Sequence, residues 1–220
     1  MLLPAGNSFT TLITGLDHPS MSPMRLINYQ LNSRQLSLMS AFIAIGAVTR
    51  ILLGNLALES PSPIYGLLIK IGLTETLTFI IGYAFGSAAG FLTGSLIIVT
   101  SDLYMIPGPW TPFIAAIIGL FGIGAGISRK YVGHPGAVAF GVCAAVLTIL
   151  SEFLQNAWVA LFYGIPIIGT MIVGLPSLIA ALVNNVILIG TLGPRVIGLV
   201  QRAAQQPHLA SEVAACPIEE

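Results

Sequence analysis

Residues Ser101–Phe113 read SDLYMIPGPWTPF. An acid and a tyrosine lead into Pro107-Gly108-Pro109, and Trp110-Thr111-Pro112-Phe113 follow. Two prolines fix φ on either side of a glycine that lets the backbone turn, so the stretch reads as a stiff corner. Pro112 suits the first turn of a following helix, with Thr111 as its N-cap. The flanks of this corner decide the fold, because both are long apolar runs with almost no charge. Of 220 residues, 55% are hydrophobic and 7% are charged, against roughly 25% charged in soluble domains. Such a chain cannot cover a water-facing surface. The expected class is an all-α integral membrane protein, multi-pass in the cell membrane. The runs are continuous rather than alternating, which argues against strands.

A bilayer core takes about 20 apolar residues per helix. Six runs meet this, at about Gln35–Leu56, Ile64–Tyr83, Gly86–Thr100, Pro112–Ile127, Gly136–Phe162 and Ile167–Leu192. The expected architecture is a six-transmembrane-helix bundle over 35–202. A cytoplasmic N-terminal segment, 1–34, precedes it and a polar tail, 203–220, follows. No basic n-region leads into an apolar h-region, so the N-terminal segment does not read as a signal peptide. Met21 and Met24 stand as alternative starts to Met1. Arg25 and Arg34 precede the first run, Arg129 and Lys130 lie between the fourth and fifth, and Arg195 and Arg202 follow the sixth. Six crossings put all of these on one side. The positive-inside rule makes that side the cytoplasm, so both termini are expected inside and the corner outside.

Several side chains do not belong in lipid. Placing Asp, Lys or Arg at a helix centre costs about 2.5–3.5 kcal/mol on insertion scales. The expected orientation puts Arg50, Lys70, Glu75, Asp102, Glu152 and Asn156 in the outer half of the bundle, and Glu152 and Asn156 share a helix face. Each could be a structural ion pair, such as Arg50 with Glu75 or Glu152, and Lys70 could snorkel to the interface. Their shared depth points to an outward-opening polar pocket. Arg50, Glu75, Asp102, Trp110, Thr111, Glu152 and Asn156 are its candidate substrate-binding residues. Trp110 suits either an interfacial aromatic belt or the wall for a flat ligand.

Gly82, Gly86, Gly90 and Gly94 recur every four residues, which predicts close helix packing. The first run carries Ser37, Ser40, Ala41, Ala44 and Ala47 at helical spacing, a face for internal packing or for a partner. No G-x-x-x-x-G-K-[ST] phosphate loop, H-E-x-x-H or G-x-S-x-G motif occurs, and Asp102 is the only Asp in the bundle. An enzyme is not expected. Cys143 and Cys216 lack metal-ligand spacing, and His18, His134 and His208 fall in tails and a loop, so neither metal nor cofactor is expected. Zero net charge gives no reason to expect a nucleic-acid partner.

The stretch TFIIGYAFGSAAGFLTGSLIIVTSDLYMIPGPWTPF, then GLFGIGAG and LVNNVILIGTLGPRVIGLVQR, resembles one Gly-Pro-Trp-Thr-Pro subgroup of the substrate-binding S components of energy-coupling factor (ECF) transporters. The resemblance runs from about Arg34 to Arg202. It implies six helices, cytoplasmic termini and a pocket near the outer face for a vitamin or related micronutrient. A cobalamin-type ligand is one class that the subgroup suggests. It also implies docking on a transmembrane coupling subunit that carries two ATPase subunits. The family docks through small residues on its first helix, usually Ala-x-x-x-Ala, and here Ser37/Ala41 and Ser40/Ala44 meet the spacing. The chain departs from the pattern at Ile114, where a Gln is frequent. It departs again at SEFLQN, where Glu152 and Asn156 hold the acid and amide places. In this reading Arg50 meets an anionic ligand group, Asp102 and Glu152 accept from its donors, Trp110 stacks and Asn156 hydrogen-bonds. The alternative is a stand-alone gradient-driven transporter of a small organic solute, with Glu75 and Glu152 carrying protons. Inverted repeats common in that class are not evident between the first three runs and the last three.

Overall fold

A computed structural model describes residues 33–58, 73–132 and 136–205. Within them the chain is helical, with no strand. The helices are α1 Ser33–Leu58, α2 Thr74–Phe85, α3 Ser87–Met105, α4 Thr111–Tyr131, α5 Ala137–Tyr163, α6 Ile167–Thr191 and α7 Gly193–Gln205. Five of them, α1, α3, α4, α5 and α6, are long and apolar enough to cross a bilayer. The protein is a multi-pass membrane protein. Residues 64–72, the first half of the second run with Lys70, lie outside the described residues. So do Arg25, the three histidines, Cys216 and the tail beyond 205.

Glycines explain how α2, α3 and α4 meet. A Cβ added at Gly82 or at Gly90 would lie 2.5 Å from the carbonyl oxygen of Gly122, and one at Gly94 would lie 2.7 Å from that of Ile118. Backbone therefore touches backbone where the three helices cross, which only residues without a side chain permit. Gly86 has a different task from the packing expected of it. It breaks the helix between α2 and α3 with φ 104° and ψ 173°, in a region that L side chains rarely adopt. Gly86→Ala is expected to cost about 1–2 kcal/mol. The loss would be read as a lower apparent Tm of the detergent-solubilised protein, and an unchanged Tm would refute the assigned conformation.

Gly164 ends α5 in the left-handed region, where the N–H of Ile165 reaches the carbonyl of Ala160 at 3.0 Å. Pro166 then precedes α6, the usual succession at a helix end. The α7 helix was not apparent in the sequence, where Arg195 and Arg202 read as flanks of a sixth span. It is amphipathic. Gly193, Ile197 and Val200 are buried, whereas Arg195, Leu199 and Arg202 are exposed. The buried side joins a core with Phe79, Tyr83 and Phe140, whose rings meet edge-on at 5.5 and 4.8 Å. This core ties the ends of α2 and α6 to the start of α5, so these elements share one end of the bundle.

Candidate functional site

The described acids and one arginine gather at the other end. Arg50 lies about two thirds along α1, on the side that also buries Met39 and Gly46. Its Nη1 pairs with Oδ1 of Asp102 near the end of α3 and donates to Oγ of Ser101. Ser101 is fully buried and Asp102 is 3% exposed. The partner of Arg50 is thus Asp102, not the Glu75 or Glu152 considered from the sequence. Both bonds leave from Nη1, so the guanidinium has Nη2 and Nε for a further acceptor.

Asp102 also holds the corner. Its Oδ2 accepts from Oγ1 of Thr111 at 2.7 Å. The same Thr111 oxygen accepts from the N–H of Gly108 at 3.2 Å, and the Thr111 N–H reaches the carbonyl of Gly108 at 3.0 Å. Thr111 is the first residue of α4 rather than its cap, and Trp110 takes the cap position. A Cβ on Gly108 would come closer than 3.0 Å to the Trp110 ring, so Trp110 folds back over its own corner. One carboxylate therefore joins α1, α3 and the α3–α4 corner.

A cavity of about 160 Å³ opens beside this pair, and five helices line it. Arg50 comes from α1, Thr74 and Glu75 from α2, Ile98 from α3, Ile114 and Ile118 from α4, and Gln155 from α5. The lining combines a cation, an acid, an amide and an apolar wall, a set that suits a small polar molecule with donors and acceptors. Of the seven candidate residues, Arg50 and Glu75 line it. Asp102 and Thr111 support Arg50 from behind. Trp110 belongs to the corner. Glu152 and Asn156 lie beside the cavity in the α5–α6 contact, where Glu152 is 4% exposed. The Asn156 amide donates to the Glu152 carbonyl at 2.8 Å and packs against Gly174 of α6. Glu152 carboxylate oxygens lie 3.5 Å from Gln155 Nε2 and from Ser177 Oγ. Gln155 therefore links this contact to the cavity. The SEFLQN segment contained that signal, but its amide and acid places drew the reading to Glu152 and Asn156. Ile114, where relatives in the resembled family often have Gln, forms part of the apolar wall.

An aromatic group borders the corner. Trp158 meets Phe113 at 5.2 Å and Phe162 at 5.0 Å, and Tyr163 stands edge-on to Phe162 at 5.1 Å. Sequence reasoning missed Trp158, although Trp158 and Phe162 are spaced by one turn and share a face. On α1, Ser37, Ser40, Ala41 and Ala44 are exposed whereas Ala47 of the same stripe is buried, and the Ser40 hydroxyl bonds the carbonyl of Leu36 at 2.9 Å.

Charge is segregated along the bundle. The three acids among the described residues, Glu75, Asp102 and Glu152, lie at or beside the cavity end. Of the described cations only Arg50 joins them. Arg34, Arg129, Lys130, Arg195 and Arg202 lie toward the opposite end, where Arg129 donates to the carbonyl of Ala84 at 3.0 Å.

No protein-family model matches the chain, and no solved structure matches it. It is similar to a UPF0397 protein of Streptococcus gordonii (strain Challis), with 30% identity over 122 residues. The match covers 53% of this chain and 61% of that protein, so it spans less than two thirds of the relative. The relative's name states no substrate or activity.

Proposed function

We infer that this chain is the substrate-capture membrane subunit of an ECF-type importer, binding a vitamin or related micronutrient for an ATP-driven partner. The observation that carries this reading is the Arg50 cradle. A buried carboxylate and a rigid corner hold a guanidinium at the wall of a cavity that five helices share. A site built at such desolvation cost, in a chain with no phosphate loop, suits capture by one subunit and energy supply by another. Six spans, cytoplasmic termini and an outward-facing cradle belong to this reading. The segregation of charge supports them, since the basic end is the one that the positive-inside rule keeps in the cytoplasm. The coupling subunit, with its two ATPases, would dock on the exposed Ser37, Ser40, Ala41 and Ala44 face. The chain itself would catalyse no reaction. Organic ligand sites usually enclose about 300–1,000 Å³. The described cavity is smaller, which favours a small vitamin or one polar arm of a ligand over a corrin-sized body.

The test is a thermal-shift screen of the purified chain against vitamins and their precursors. A ligand at 100 times its Kd adds about 2.7 kcal/mol of stability. One compound should raise the Tm, and Glu75→Gln should weaken that shift while the unliganded protein stays folded. No shift across the panel, with folded protein, would transfer the reading to a gradient-driven transporter.

A further inference from the structure

A second feature lies on the outer surface of α6 and is independent of substrate capture. Between Pro176 and Leu188 one face of α6 forms an apolar groove of about 450 Å³. Ile179, Val183 and Ile187 in it are each more than half exposed. A recess of about 500 Å³ follows, bounded by Ala137 of α5, Gly190 and Thr191 of α6, and Pro194 and Arg195 of α7. Helical hydrogen bonding runs almost unbroken through the junction, from Leu192 N–H to the Leu188 carbonyl and from Val196 N–H to the Leu192 carbonyl, both at 2.9 Å. Ile187, Thr191 and Arg195 are spaced by four and therefore form one stripe. The apolar groove leads into a recess with a cationic wall.

Three observations select the occupant. Arg195 is exposed and has no ion-pair partner among the described residues. Its end of the bundle carries Arg129, Lys130 and Arg202 and no described acid. From Ile179 to Thr191 the stripe is 12 residues, about 18 Å at 1.5 Å per residue, which is close to one leaflet of a hydrocarbon core about 30 Å thick. We propose that this groove binds an anionic phospholipid, its head phosphate at Arg195 and one acyl chain along Ile187, Val183 and Ile179. A zwitterionic lipid offers the same chain and a phosphate, but among the described residues at this end its ammonium group meets cations and no acid. Basic recesses between membrane helices on the cytoplasmic side recognise anionic head groups in this way.

The experiment is native mass spectrometry of the full chain in detergent with 1-palmitoyl-2-oleoyl-phosphatidylglycerol or the matching phosphatidylcholine. The wild type should retain phosphatidylglycerol preferentially. Arg195→Ala should lower that retention about fivefold, the effect of one basic residue near an anionic surface. Arg195→Lys should keep most of it, and Gly169→Ala, at the far end of α6 with nothing within 4 Å of the added Cβ, should leave it unchanged. Val183→Trp, which fills the apolar arm, should reduce retention of both lipids. Equal retention of the two lipids by the wild type, or an unchanged preference in Arg195→Ala, would overturn the proposal. Binding that appears only after removal of residues 206–220, which carry Glu212, Glu219 and Glu220, would also overturn it. The chain's own tail would then be the occupant.

Discussion

Gly122→Val should abolish recovery of a monodisperse, folded bundle from detergent. A Cβ at this position would come closer than 3.0 Å to three backbone atoms of Gly90, its carbonyl oxygen included. Backbone atoms cannot rotate out of the way as a side chain can, so α3 and α4 would have to separate. The same crossing is glycine on all three sides, since a Cβ added at Gly82 or at Gly90 would in turn lie 2.5 Å from the Gly122 carbonyl oxygen. Overpacking a well-filled site typically costs about 1–3 kcal/mol, and rigid surroundings raise it. Gly122→Ala should therefore lose about that much, and the valine more. Gly169 in α6 is the control, because nothing lies within 4 Å of a Cβ added there. Gly169→Ala should be neutral or gain up to about 1 kcal/mol from helix propensity. The readouts are the size-exclusion profile and the thermal melt. Equal behaviour of the 122 and 169 variants would refute the three-helix crossing.

The Arg50–Asp102 pair should show the next largest effect, and a non-additive one. Asp102→Ala removes the carboxylate paired with a largely desolvated guanidinium and leaves the Ser101 hydroxyl as its described hydrogen-bond partner. Removing one member of a buried pair costs about 3–5 kcal/mol. It also cuts the corner loose, because Thr111 loses its acceptor. Arg50→Ala should cost a similar amount by stranding the carboxylate. Replacing both, as Arg50→Met with Asp102→Leu, should restore much of the lost stability, since apolar groups of similar volume often match a buried pair. A double-mutant cycle on thermal stability measures the coupling. Additive losses would show that the two side chains act independently. If the capture reading holds, the restored double variant should be stable and yet bind no substrate.

The membrane class, the long helices and the corner were legible because hydropathy and proline chemistry are local. The gathering of Arg50, Glu75, Asp102 and Glu152 at one end was legible too, since depth along a helix follows from counting residues. Rotation about the helix axis was not. The α1 and α3 helices are apolar on most of their circumference, so their sequences show little about which side faces which neighbour. That is why Asp102 was not recognised as the partner of Arg50, and why Gln155 was passed over for Glu152 and Asn156 on the cavity wall. Gly86 looked like its neighbours because a period of four conceals one member that leaves the helix. Residues after the sixth run read as its basic flank, although Pro194 suits the first turn of a new helix. The spacing of Gly193, Ile197 and Val200 contained the signal for α7.

The chain has only two tryptophans, Trp110 and Trp158. One folds over Gly108 in the corner and the other stacks beside Phe113, next to the cradle. The basic end of the bundle, where Tyr83 and α7 sit, has no indole among its described residues. Indole emission, excited apart from tyrosine, is consequently an optical probe of one end of the molecule, present without labelling. Quenching by brominated lipids of chosen depth would then measure how far that end stands from the bilayer midplane, before and after a ligand is added.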